Sequence, residues 1–203
     1  MDPLEYLLKK AQPLFKQKRY KETIDICNEI LALDSKEIEA LSLKAKSLLA
    51  TNQIAEAREY FNQALSQAPD DYELLKELGN SYYFVGDHDT AKNYYKKALK
   101  INQRYAPALT MLGSSELTSG NQQEGLSLLV QATECDSKLA PAWINLANGY
   151  IQFGRAMEAE DACRKAIEIT PNLPNSYFFL STSLIAQKKY REAEQHVRKA
   201  IEL

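Results

Sequence analysis

The residues able to do chemistry in this chain are few and far apart. Two histidines, His88 and His196, and three cysteines, Cys27, Cys135 and Cys163, are the whole inventory of strong metal ligands and thiol nucleophiles. A zinc site needs ligands at short fixed spacings, and neither histidine has such neighbours. A reactive thiol needs a base or a positive field beside it, and no histidine is close in register to any of the three. No Gly-x-x-x-x-Gly-Lys phosphate loop and no strand–turn–helix nucleophile motif occurs. The acid pairs Asp70–Asp71 and Glu158/Glu160 read as helix caps and helix surfaces. The basic clusters Lys96–Lys97, Lys188–Lys189–Arg191 and Arg198–Lys199 read as solvated faces paired with nearby acids. The expectation is no catalytic residue, no metal site and no cofactor: a binding protein, not an enzyme.

Charge points the same way. The 203 residues carry 25 Lys and Arg against 27 Asp and Glu, for a formal net charge of -2. Nucleic-acid binding usually comes with a basic excess, and an anionic membrane attracts polybasic segments; neither is present. Met1-Asp2-Pro3 opens on an acid and a proline, unlike a secretory signal. No apolar run approaches the ~18 residues of a spanning helix. Three cysteines, an odd number with no framework spacing, suit reduced thiols. These features point to the cytoplasm.

What must position any binding residues is a repeat. With position 1 at Leu4 and a step of 34 residues, units fall at 4–37, 38–71, 72–105, 106–139, 140–173 and 174–203 without insertion. Position 8 is always small: Ala11, Ala45, Gly79, Gly113, Ala147, Ser181. Position 20 holds Thr23, Ala57, Ala91, Gly125, Ala159 and Ala193. Position 27 holds Ile30, then Ala64, Ala98, Ala132, Ala166 and Ala200. Position 4 is large and apolar, from Leu7 through Leu41, Leu75, Leu109 and Trp143 to Tyr177. Position 24 holds Cys27, Phe61, Tyr95, Leu129, Cys163 and Val197. Small columns mean close backbone approach, and large columns fill the space between. In the third unit, helical periodicity runs through Leu74, Leu75, Leu78, Tyr82 and Val85, breaks at Gly86-Asp87, and resumes from Ala91 to Ile101. Gly120 and Gly154 stand at the same break. Asp34 and Asp70, near the starts of first helices, are expected to cap them.

The pattern resembles the tetratricopeptide repeat family. The third unit carries it in Leu78-Gly79, Tyr82, Ala91, Tyr95 and Ala98, and the fifth in Trp143, Leu146, Ala147, Tyr150, Ala159, Ala166 and Pro171. In style the units are similar to the repeats of O-linked N-acetylglucosamine transferases. Departures are local: Lys10 and Lys44 stand where Leu is usual, and Glu116 where an aromatic is usual. The resemblance implies an all-α, right-handed superhelical solenoid of antiparallel helix pairs. First helices would line a concave groove, facing it through positions 2, 5, 6, 9, 12 and 13.

In those columns the amino-terminal half offers Glu5, Lys9, Lys16, Glu39, Lys46, Glu73, Lys76 and Glu77, with signs interspersed and no single-sign ligand indicated. The carboxy-terminal half offers Tyr83, Phe84, Met111, Leu117, Ile144, Ile151, Phe178 and Phe179, with Asn80, Asn145 and Asn148 among them. Apolar and aromatic side chains can anchor a partner, and Asn amides can pair with a peptide backbone without requiring charge. The expected peptide-binding set is Lys76, Asn80, Tyr83, Met111, Ile144, Asn145, Asn148, Phe178 and Phe179. Several of these side chains could instead pack between adjacent first helices.

Two finer resemblances fail in part. The clamp that holds acidic chaperone tails matches at Lys76 and Asn80, but Met111, Pro141 and Asn145 stand where Asn, Lys and Arg belong. An asparagine ladder is interrupted by Met111 and Phe179. RNA-reading helical repeats need polar base readers in every unit and a basic path, which these columns lack. Terminal repeats usually carry a polar cap, and no solvating helix follows Ala200-Ile201-Glu202-Leu203, so the expectation is an amino-terminal piece of a longer protein or an end covered by another chain; a free end would invite self-association. The reading is a protein-interaction scaffold that holds a peptide or partner surface in its groove. The alternative is a substrate-recruiting arm of a larger enzyme, such as a glycosyltransferase or sulfotransferase.

Overall fold

The computed structural model describes residues 2–203. Among them are twelve α-helices in antiparallel pairs. The first half contains α1 (Pro3–Lys16), α2 (Tyr20–Leu33), α3 (Ile38–Ala50), α4 (Ile54–Gln67), α5 (Tyr72–Tyr83) and α6 (His88–Ile101). The second contains α7 (Ala106–Thr118), α8 (Gln122–Cys135), α9 (Ala140–Gln152), α10 (Ala156–Ile169), α11 (Pro174–Ala186) and α12 (Tyr190–Glu202). Each half is a compact body of six helices. No helix of the described residues is long and apolar enough to cross a membrane.

The turn inside each pair is the same object six times over. The chain enters the left-handed region at Lys18, Asn52, Gly86, Gly120, Gly154 and Lys188, with φ between 60° and 84°. The next N–H then reaches back to a carbonyl five residues earlier. The bonds are Arg19 to Leu14 (2.9 Å), Gln53 to Leu48 (2.8 Å), Asp87 to Tyr82 (3.1 Å), Asn121 to Glu116 (2.9 Å), Arg155 to Tyr150 (2.9 Å) and Lys189 to Leu184 (2.9 Å). This is the Schellman closure, which satisfies carbonyls that a helix end leaves free. At Gly86, Gly120 and Gly154 an added Cβ would meet nothing within 4 Å, so glycine serves there for its backbone freedom alone.

The starts of first helices differ between the halves. Side-chain carboxylates cap α1, α3 and α5: Asp2 accepts from the Leu4 N–H, Glu37 from Ala40, and Asp71 from Glu73 and Leu74. Asp34, expected as a cap, instead ends α2 and accepts the Lys36 N–H at 2.9 Å within the turn, and Asp71 rather than Asp70 caps α5. In α7, α9 and α11 no side chain caps; each has proline in its first turn, where no N–H is missed.

Burial follows the columns. Cys27, Phe61, Tyr95, Leu129 and Cys163 are fully buried, as are Ala64, Ala98, Ala132 and Ala166 one turn on. A further small column went unread in the sequence: Ser47, Ser81, Ser115, Gly149 and Ser183 are all buried in first helices. The four serine hydroxyls donate to carbonyls of their own helix (2.6–2.8 Å), so a small residue can sit at a tight crossing without an unmet polar atom. At the crossing of α7 and α8 the backbones approach closely: a Cβ added to Gly113 would lie 2.9 Å from the Gly125 carbonyl oxygen.

The departures from the family pattern have local answers. Lys44 is 7% exposed; its ammonium donates to Asn28 Oδ1 (2.6 Å) and the Tyr60 hydroxyl (2.5 Å) and lies 4.0 Å from the Tyr60 ring centroid. Glu116 is buried and accepts from the Asn121 amide at 2.6 Å. His196 of α12 is half-buried and stacks on Tyr177 at 6.0 Å.

Candidate functional site

In the second half, α9 lies against both α7 and α11, so the three first helices form one continuous face. Trp143, Leu146, Ala147 and Tyr150 turn the other side of α9 into the core. Two hydrogen bonds of the same kind hold the helix starts: Trp143 Nε1 donates to the Ser137 carbonyl (2.9 Å), and the Tyr177 hydroxyl donates to the Pro171 carbonyl (2.8 Å). This anchoring leaves Ile144, Asn145 and Asn148 of α9 half-buried on the outward face, with Met111 on α7 and Phe178 and Phe179 on α11.

The two asparagines are unspent. Neither Asn145 nor Asn148 makes a side-chain hydrogen bond among the described residues, although both are half-buried. On the adjoining helix α11, Phe178 is 56% exposed and Ile185 50%. Phe178 and Phe179 meet edge to face at 5.4 Å, but Phe179 also packs on the cluster of Ala147, Cys163 and Leu180. Phe179 therefore supports the face while Phe178 is presented. Leu117, which falls in a groove column, is only 6% exposed and belongs to the core with Leu126, Leu129 and Leu146. Its side chain fills the space beside Gly125 and Gly149.

Lys76, Asn80 and Tyr83 lie in the first half and are already engaged. The Asn80 carbonyl oxygen accepts from the Tyr95 hydroxyl (2.9 Å) and its amide donates to Glu77 (2.9 Å). The Lys76 ammonium pairs with Glu77, with both side chains largely covered. Asn80 thus orients the fully buried Tyr95, whose hydroxyl burial pushes far above the ordinary phenol range. Tyr83 packs against His88 at 4.9 Å.

The sequence reading passed over a cleft in the first half. Phe15 of α1, Lys46, Leu49 and Ala50 of α3, Glu77 of α5 and Phe84 just after it line about 650 Å³, together with Asn52 and Ile54. All but the last two stand in groove columns. The signal was available in Phe15 and Leu49, hidden by the mixed charges around them.

Among the described residues, no thiol stands as an activated nucleophile beside a base or in a positive field. Burial pushes the Cys27 and Cys163 thiols up to about 12, which makes them inert fillers of the core. Among the described residues, no group of three or more His, Cys, Asp or Glu could hold a metal ion.

Comparison with known proteins completes the assignment. Family models of the tetratricopeptide repeat match residues 14–80, 72–105, 140–173 and 174–203. Among solved structures, the chain is similar to PilW, a type IV pilus biogenesis factor, with 18% identity over 97% of this chain and 91% of that one and a TM-score of 0.82. It is also similar to TTC0263, a thermophilic TPR protein of Thermus thermophilus, with 21% identity, coverage of 90% and 99%, and a TM-score of 0.79. A third likeness is to YrrB, a TPR protein with an unusual peptide-binding site, with 22% identity, coverage of 90% of each chain and a TM-score of 0.60. No curated protein sequence matches significantly. On the repeat-by-repeat match of its sequence and its paired helices, this chain is a member of the tetratricopeptide repeat family.

Proposed function

We propose that this chain is a non-catalytic interaction scaffold whose second half binds an extended or helical peptide segment across α9 and α11. The observation that carries the reading is the pair of half-buried, unpartnered amides of Asn145 and Asn148 beside the exposed ring of Phe178. An amide that no protein group engages is free to pair, and a peptide backbone offers it both donors and acceptors. Phe178 supplies the apolar anchor, and Met111 and Ile144 flank the same face.

Peptides selected from a random display library against the whole protein provide the test. Combined replacement N145A/N148A/F178A should weaken the selected binders by at least about 100-fold, since two lost amide partners and an aromatic anchor each account for about 1–2 kcal/mol. Far-UV circular dichroism should be unchanged. Binders that survive the triple variant with undiminished affinity would sink the reading.

We also propose self-association through α12. Column 24 is 0% exposed in Cys27, Phe61, Tyr95, Leu129 and Cys163 but 38% exposed at Val197, and Ile201 beside it is 79% exposed. With Tyr190 at 62%, these residues form one stripe along α12.

A further inference from the structure

The cleft of the first half is a different kind of surface from the α9–α11 face. Its volume of about 650 Å³ lies in the range of small-ligand pockets. Its walls are apolar, from Phe15, Leu49, Ile54 and Phe84, and Phe84 leaves 64% of its surface in water. Such walls fit an apolar side chain.

The polar lining decides what accompanies that side chain. Glu77 is already engaged: one carboxylate oxygen accepts from Lys76 and the other from Asn80. Nearby on α1 and α3, Lys9 is held by Glu5, and Glu39 accepts from Gln12. Lys46 is half-buried and has no hydrogen-bond or ion-pair partner among the described residues. Of the mixed charges, Lys9 with Glu5 and Lys76 with Glu77 cancel as ion pairs; Lys16, Glu39 and Glu73 do not line the cleft, which leaves the Lys46 ammonium as the one uncompensated charge of the lining among the described residues. A partly desolvated cation without a counter-ion favours a carboxylate ligand.

We propose that this cleft is a second, independent ligand site, which takes an apolar side chain of Leu, Met or Phe size together with a nearby Asp or Glu of the same peptide, the carboxylate pairing with Lys46. A side-chain carboxylate fits better than a chain terminus. Termini are usually held by several convergent donors, whereas Lys46 and the Asn52 amide are the only donors lining this cleft that no carboxylate already occupies.

The test uses the full chain and fluorescently labelled octapeptides with both termini blocked. Each carries one Phe or Leu, flanked in one set by Glu and in the other by Lys. The Glu set should bind, and the Lys set should bind at least about tenfold more weakly. Lys46→Glu should reverse that preference. Ala50→Trp, a change at an exposed position of the lining, should abolish binding of both sets by filling the space. N145A/N148A should leave binding to this cleft untouched, so failure here and failure of the α9–α11 reading are separate results. Equal binding of the Glu and Lys sets, indifference to Lys46→Glu with circular dichroism intact, or binding only by peptides with a free carboxyl terminus would each overturn the proposal.

Discussion

Lys18 and Lys188 hold φ values of 60° and 62°, a conformation that costs an ordinary L residue about 1–2 kcal/mol. The equivalent positions in the third, fourth and fifth pairs are glycine. Lys18→Gly and Lys188→Gly should each stabilise the protein by about 0.5–1 kcal/mol, because glycine relieves the strain but loses more chain entropy on folding. Urea unfolding midpoints would show it, and a fall in midpoint for either variant would contradict the argument. Single residues are also where sequence reading reached its limit. Asn80 and Lys76 were legible as outward-facing by register, but a register names a face and not a partner. Tyr95, fifteen positions on, is what claims Asn80. The same holds for Lys44, which looked like a lapse in an apolar column and is a buried ammonium held by Asn28 and Tyr60.

At the level of the element, the carboxylate of Glu160 ties α10 to the turn between α11 and α12. It accepts from Arg164 (2.7 Å), Gln187 (2.7 Å) and Lys189 (2.9 Å), and Arg164 continues to Glu192 at 2.8 Å. Burial pushes this carboxyl up, but the three donors outweigh burial and hold it at about 2, against an ordinary 4.5. A depressed carboxylate contributes stability above its unfolded value and loses it as pH falls through the folded one. The contribution should therefore be complete at pH 7 and fade between about 4.5 and 2. Glu160→Gln should cost about 1 kcal/mol at pH 7, a figure reduced for the solvent around Arg164 and Lys189. It should also shrink the stability difference between pH 7 and pH 3. An unchanged difference, measured by denaturant titration at both values, would mean that the network is ornamental. The helices themselves were legible because small and bulky columns repeat. The cap swap in α7, α9 and α11 was visible only as Pro107, Pro141 and Pro174, and its meaning required knowing that no acid side chain reaches those helix starts.

For the molecule as a whole, periodicity carried the fold, because an array whose units touch mainly their neighbours is specified by whatever recurs. Binding surfaces do not recur, and so they were only half legible: Phe178 and the two asparagines stood out, while the cleft at Phe15 and Leu49 did not. The stripe of Tyr190, Val197 and Ile201 predicts an association that rises with concentration. Ile201→Lys should return the protein to monomer in sedimentation velocity runs, since the residue is exposed and its loss disturbs no core. A wild-type protein that stays monomeric at millimolar concentration would remove the stripe as an interface. The turns have a consequence of their own. No connection between successive helices exceeds four residues, and main-chain bonds close those inside every pair. Proteases cut slack, exposed segments, and the described chain offers almost none. A first cut should therefore wait until a helical hairpin has peeled away, and limited digestion should yield a ladder of products whose rungs are spaced by about one repeat.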